Sequence, residues 1–157
     1  MKPNELIRII VITIVGIVLV LLGQPLLYRN DIIYIDYVEF LDADGWLATE
    51  YMRSSYLVLA AAIIATVVWC FLAARAKPLT AKDTSNWRLL WWLLLLLPIV
   101  SIGVALWLQT ETSTRVSLAL LYTVDILILY WLTTASSSPS HTKYLPPVSM
   151  TIRNIVG

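Results

Sequence analysis

One stretch decides the fold class: VSLALLYTVDILILYW, residues 116–131. Its side chains are almost all apolar, and the only acid among them is Asp125. A charged side chain at the centre of a membrane helix costs roughly 2.5–3.5 kcal/mol on insertion scales, so such a residue usually faces protein or water rather than lipid. The stretch therefore predicts a membrane-spanning helix whose acid is turned away from the acyl chains.

Other parts of the chain have the same apolar character. A spanning helix needs about 20 mostly apolar residues, and four segments meet this requirement: residues 8–27, 54–75, 87–109 and 115–133. The chain is 59% hydrophobic and only 13% charged, which lies outside the range of ordinary soluble domains. We predict an all-α membrane protein, with a four-helix transmembrane bundle over residues 1–134 and a tail over residues 135–157.

The basic residues predict the orientation of the bundle. Four spans divide them between the two sides, eight on the side of the termini and three on the other. Cytoplasmic segments carry the excess of Lys and Arg in membrane proteins, so both termini are expected to be cytoplasmic.

The extracytoplasmic segment over residues 28–53 combines apolar and acidic residues. Its acidic patch consists of Asp36, Glu39, Asp42 and Asp44. We expect these side chains to be solvated, with contact to a basic partner as the alternative. Apolar residues recur beside them at Ile35, Val38 and Leu41, and this spacing predicts a short amphipathic helix at the membrane interface that stops near Gly45. A β-strand over residues 32–38 is the alternative interpretation.

The tail changes character after the fourth span. Residues 136–140, Ser-Ser-Ser-Pro-Ser, are typical of a flexible tether. A short helix then follows Pro147, and we expect it to dock on a protein partner through Val148, Ile152, Arg153 and Ile155. A frayed terminus is the alternative for this segment.

Asp125 is the leading candidate for a functional residue. By depth in the membrane, Thr66 of the second span and Ser101 of the third fall near it, and Tyr122 shares its helix face. These four residues are the predicted intramembrane polar cluster. The functional interpretation is a proton or cation relay. The structural interpretation is an acid that fixes helix packing or pairs with a partner subunit.

Helix ends and seams can also be predicted from small and polar residues. Ser54 or Ser55 would cap the second span, because their hydroxyls can accept the first free backbone amides. Gly16 and Gly23 are seven residues apart on the first span and would line one close-packed seam. Gln24-Pro25 would end or bend that span.

Several classes of activity are excluded by what the sequence contains. It has one cysteine and one histidine, Cys70 and His141, so one chain can form neither a disulfide nor a Cys/His metal cluster. It has no His-Glu-x-x-His, Gly-rich phosphate loop or Gly-x-Ser-x-Gly motif. The net charge of +1 and the lack of a basic-aromatic surface argue against nucleic-acid binding. We therefore expect no catalytic residues, no metal and no cofactor.

These observations lead to a prediction of function. We expect a non-catalytic accessory, assembly or scaffold subunit of a larger membrane complex, or a homo-oligomer, with membrane lipids and protein subunits as partners. A small transporter or channel-forming oligomer that uses Asp125 is the first alternative, and a membrane-embedded lipid-modifying enzyme is the second. The expected location is a bacterial plasma membrane, with a thylakoid or other organellar membrane as the alternative.

Overall fold

The protein is a bundle of four long helices with a short helix in the tail. The computed structural model describes residues 2–34, 40 and 42–156, and it contains no strand within these ranges. The long helices are α1 (Pro3–Arg29), α2 (Ala43–Ala74), α3 (Ala81–Trp107) and α4 (Thr112–Ser137), and α5 (Ser149–Val156) follows. Each of the first four is long and apolar enough to cross a membrane. The prediction of an all-helical integral membrane protein is thus confirmed, whereas the orientation of its termini stays a prediction.

Apolar side chains cover the outside of the bundle. About half of the surface of Ile10, Ile14 and Val18 on α1 is exposed, and Leu93 and Leu97 on α3 are similar. Exposed apolar surface on this scale would be unfavourable in water. In a bilayer these side chains meet acyl chains instead, so the exposed faces of the helices suit lipid.

Aromatic side chains fill the interior at both ends of the bundle. At one end Tyr28, Trp46 and Tyr51 are buried, with the rings of Tyr28 and Trp46 4.9 Å apart in an edge-to-face arrangement. At the other end the rings of Trp91 and Tyr130 lie 5.2 Å apart, and the Tyr130 hydroxyl donates to the Trp91 carbonyl at 2.6 Å. Such pairs add roughly 0.5–1.5 kcal/mol to the burial of their area, so they hold the helices together near both ends.

The second helix starts earlier than the predicted caps would allow. Asp42 is its N-cap and accepts a hydrogen bond from the Gly45 amide at 2.8 Å. Ser54 and Ser55 lie buried inside the helix, and their hydroxyls donate to backbone carbonyls of the preceding turn. The predicted caps were therefore wrong, because the helix extends beyond the apolar run into a polar segment. Gly45, expected to stop a helix, lies in the first turn of α2.

The acidic patch is described only in part. Residues 35–39 and 41, where the amphipathic helix with Asp36 and Glu39 was predicted, lie outside the described residues. Asp42 caps α2, and Asp44 forms an exposed ion pair with Arg29, whose Nε lies 2.6 Å from Oδ1. Both described acids therefore have local partners at the start of α2.

The tail folds back onto the bundle. Helix α4 continues to Ser137, and residues 136–138 of the predicted tether, which covers 136–140, are fully buried. Arg153 of α5 donates to the carbonyls of Ala135 and Ser138, and the Trp131 indole donates to the Pro147 carbonyl at 3.0 Å. Burial lowers the pKa of the Arg153 guanidinium, and nearby carbonyls accept its hydrogen bonds in place of water. The prediction of a flexible tether was wrong, because its hydroxyls bond within the bundle.

The predicted docking residues separate into two pairs. Ile152 is buried and Arg153 bonds to the chain's own backbone, so both serve to attach α5 to the bundle. Val148 and Ile155 are 57% and 79% exposed. Of the four predicted docking residues, only Val148 and Ile155 leave apolar surface exposed.

Candidate functional site

Asp125 of α4 is buried against α1, and it has one hydrogen-bond partner within the described residues. Its side chain is 1% exposed, and its Oδ1 accepts a hydrogen bond from Gln24 Nε2 at 2.6 Å. The other oxygen, Oδ2, has no hydrogen-bond partner in the part of the chain that the structure describes. A buried acceptor without a hydrogen-bond partner is energetically costly. Oδ2 of Asp125 is therefore the candidate functional atom of this site.

The hydrogen bonds continue from Gln24 to a second helix. Gln24 is itself 1% exposed, and the Tyr51 hydroxyl of α2 lies 2.8 Å from its Oε1. The same hydroxyl lies 2.6 Å from the backbone oxygen of Val20 on α1. We call Asp125, Gln24, Tyr51 and Val20 the Asp125 chain. It connects three spanning helices in the apolar interior.

Three π-helical turns border this chain. Within the described residues they cover Leu19–Gly23 on α1, Leu47–Tyr51 on α2 and Leu127–Leu132 on α4. The first ends directly before Gln24, the second ends at Tyr51, and the third begins two residues after Asp125. Single π-turns inside α-helices are rare and frequently occur at functional sites.

Each π-turn contributes a backbone carbonyl that accepts a hydrogen bond from a side chain. Tyr51 donates to Val20 in the first turn, Ser54 donates to Glu50 in the second at 2.9 Å, and Thr66 donates to Leu129 in the third at 2.7 Å. A π-turn disturbs the regular hydrogen bonds of an α-helix and can leave a carbonyl free for such a donor. Each π-turn is therefore held by a hydrogen bond from a nearby polar side chain.

A second polar group lies near the Asp125 chain, around Ser54. The Ser54 and Tyr122 hydroxyls are 2.7 Å apart, and Gln109 Nε2 donates to Ser54 Oγ at 2.9 Å. The Trp46 indole donates to Gln109 Oε1 at 3.2 Å. This group joins α2 and α4 to the connection that follows α3.

The residues of the predicted polar cluster are buried, but they form hydrogen bonds with different partners and not with Asp125. Asp125, Tyr122, Thr66 and Ser101 are all buried. However, Tyr122 pairs with Ser54, Thr66 donates to the carbonyls of Ala62 and Leu129, and Ser101 donates to the Pro98 carbonyl at 2.7 Å. None of these three hydroxyls bonds to Asp125. The four residues therefore do not form one hydrogen-bonded cluster, because a backbone carbonyl or a serine is the partner of each hydroxyl.

Sequence reasoning missed Gln24 and Tyr51, the two side chains that continue from Asp125. Gln24 was interpreted with Pro25 as a helix break, yet α1 continues to Arg29. Tyr51 was assigned to the loop before the second span. Gln24 could have been identified from the sequence, because it is the only side-chain amide in the apolar run of residues 9–27. Such an amide needs a hydrogen-bond partner when it is buried.

The geometry limits what this site can do. Nowhere in the described ranges do three His, Cys, Asp or Glu side chains lie close enough to hold a metal ion. The Asp125 chain contains one carboxyl group, one amide and one phenol, which can hold helices together or carry a proton. Comparisons with protein-family models, with curated proteins and with solved structures find no match to this chain.

Proposed function

We propose that this chain is a non-catalytic membrane protein that serves as an accessory, assembly or scaffold subunit of a larger membrane complex, or as a homo-oligomer. One observation carries the proposal: most of the buried polar side chains that the structure describes bond to one another or to backbone. Gln24, Ser54 and Thr66 each contact a neighbouring helix in this way. Side chains committed to such bonds fix the bundle and are not free to act on a substrate.

The exposed end of α5 offers the surface for a protein partner. Ile155 is 79% exposed at the end of the tail, whereas Ile152 and Arg153 in the preceding turn attach α5 to α4. The helix is thus fixed to the bundle while Ile155 stays accessible. A rigid apolar residue loses little freedom on binding, which favours it as an interface anchor.

Replacing Ile155 with Asp should reduce the amount of bound partner or of self-associated protein by roughly tenfold, about 1.4 kcal/mol. The reason is that a charge would occupy an apolar contact. Native mass spectrometry of the full chain, extracted from its own membranes in mild detergent, would measure this. The matched control is Asn154→Asp, which adds the same charge at a neighbouring exposed position. Recovery of the unaltered chain only as a lone monomer would contradict the proposal.

The free oxygen of Asp125 favours a second candidate function, a small transporter that moves protons or cations. A carboxyl oxygen without a partner can accept a proton or contact an ion, and the Asp125 chain leads from it to two further helices. Ionisable groups inside membrane bundles commonly serve ion and proton pathways.

In the transport case, Asp125→Asn should abolish pH-dependent or ion-dependent flux in proteoliposomes, because an amide cannot ionise. Assembly should change little, since Asn keeps the shape and an acceptor for Gln24. Asp44→Asn is the control, as Asp44 lies exposed at the start of α2. If the unaltered protein gives no flux above empty vesicles, or Asp125→Asn retains it, the transport function is wrong.

A further inference from the structure

Two adjoining cavities lie between α3, α4 and the tail. The first has a volume of about 420 Å³ and is lined by residues that include Arg88, Tyr144 and Ser149. The second has a volume of about 250 Å³, and its lining is entirely apolar and includes Leu95 and Leu127. Trp92 and Pro147 line both cavities, so the two meet along these residues. Together they form one site with a polar end and an apolar end.

The polar end presents unused hydrogen-bond donors. Arg88 is exposed and forms no ion pair or hydrogen bond with a described residue. Ser149 is 2% exposed, and no partner for its hydroxyl occurs among the described residues although it lines the cavity. A polar side chain of so deeply buried a residue usually has a protein partner, so the open hydrogen-bonding position of Ser149 suits a ligand atom in the cavity.

Backbone amides add to these donors. Ser149, Met150 and Thr151 begin α5, and the amides of Met150 and Thr151 have no backbone acceptor in the described structure. The start of a helix favours negative charge through its free amides and its dipole. No acidic residue occurs among those that line the cavity. The combination of a guanidinium, a hydroxyl and free amides is the chemistry that binds a phosphate group.

The apolar end has the position and composition of an acyl-chain groove. Arg88, Trp92 and Leu95 are spaced i, i+4 and i+7 on α3, so they line one face of that helix. Leu95 lies about 10 Å farther along the helix than Arg88, from the rise of 1.5 Å per residue. The tryptophans that line the groove, Trp91, Trp92 and Trp131, are residues that membrane proteins place at headgroup depth. A polar group at Arg88 would thus continue directly into the hydrocarbon region.

We propose that this site binds an anionic phospholipid, with its phosphate against Arg88 and Ser149 and one acyl chain along Leu95 and Leu127. The donors account for the phosphate, and the absence of an acid from the lining disfavours a headgroup amine. A lipid accounts for both cavities at once, whereas a free phosphate would occupy only the polar one. The bound lipid would also fasten the tail to α3, since α5 and α3 each contribute to the headgroup pocket.

The test is a lipid titration of the full-length chain in detergent, followed by native mass spectrometry. Phosphatidylglycerol should bind at a stoichiometry of one, and phosphatidylcholine should bind at least roughly tenfold more weakly, about 1.4 kcal/mol. Arg88→Gln and Ser149→Ala should each weaken phosphatidylglycerol binding, the first by roughly tenfold because it removes a charge-assisted contact. Lys82→Gln is the matched control, since it removes the same charge from α3 outside the cavities.

Three results would overturn the proposal. Equal binding of the two lipids would show that the headgroup charge is not recognised. An Arg88→Gln variant that binds like Lys82→Gln would place the lipid elsewhere. Inorganic phosphate that displaces phosphatidylglycerol at equal concentration would assign the site to a free anion instead of a lipid.

Discussion

Replacing Gln24 with Leu should lower the free energy of unfolding by about 3 kcal/mol, because it removes the one hydrogen-bond partner that Asp125 has among the described residues. The carboxyl group would then be buried in an apolar interior with both oxygens unpaired. Tyr51 would keep its contact with the Val20 oxygen, so most of the loss should arise at Asp125. Reversible unfolding in mixed micelles of increasing dodecyl sulfate content would measure the change.

The double variant Gln24→Leu with Asp125→Leu provides the control. Replacing both partners of a buried hydrogen bond with apolar groups can be nearly neutral, so the pair should recover most of the stability that Gln24→Leu alone loses. The resulting double-mutant cycle gives the coupling between the two side chains. Equal stability of the unaltered protein and the Gln24→Leu variant would contradict the role assigned to this contact.

The number of protons in the Asp125 chain explains why Asn should be tolerated at position 125. Tyr51 has one hydroxyl proton but lies within hydrogen-bond distance of two acceptors, Val20 O and Gln24 Oε1. If the side-chain amide of Gln24 rotates by 180°, its NH₂ donates a hydrogen bond to Tyr51, and Tyr51 donates to Val20. The Gln24 oxygen then needs a hydrogen-bond donor at position 125. An Asn there supplies this donor through its own NH₂ group. The contact between positions 24 and 125 and the contacts of Tyr51 can therefore be kept in the Asp125→Asn variant.

The spanning helices could be predicted from sequence because hydrophobic length is a local property. Four apolar runs gave four helices, since a backbone in lipid must satisfy its hydrogen bonds within a helix. The helix starts were harder to predict. Asp42 and Thr80 cap α2 and α3 outside the apolar runs, where hydropathy gives no indication of a boundary. The tail was also misjudged, because the burial of Ser136–Ser138 depends on tertiary bonds such as the one from Trp69 to Ser138.

The candidate site could be predicted only at its centre. Asp125 stands out in the sequence because an acid in an apolar run requires a protein environment. Its partner could not be found by matching depth alone, because Thr66 and Ser101 find backbone acceptors nearer to them. Gln24 lies 101 positions away from Asp125 in the chain. One sequence does not show which faces of two helices pack against each other. The π-turns, which rotate these faces, have no clear sequence pattern either.

Replacing Gly16 with Leu should destabilise the bundle by about 3 kcal/mol, at the upper end of the usual cost of overpacking. A Cβ added at Gly16 would lie 2.9 Å from Leu129 Cγ and closer still to Leu129 Cδ2. Leu129 is buried, and its carbonyl is held by Thr66, so it has little room to move. Gly103→Leu is the matched control, because a Cβ there would meet no atom within 4 Å other than neighbouring backbone of its own helix. The substitution also gains up to about 1 kcal/mol of helix propensity.

Gly16 and Gln24 should also depend on each other, since both lie where α1 meets α4. Leu129 packs against Gly16, and Asp125, one turn earlier on α4, bonds to Gln24. A larger residue at position 16 would push the two helices apart and lengthen the Gln24–Asp125 contact. Gly16→Leu and Gln24→Leu together should therefore cost less than the sum of their separate effects, since the first already weakens the bond that the second removes. Strict additivity in the same unfolding assay would mean that Leu129 moves aside and α1 keeps its place.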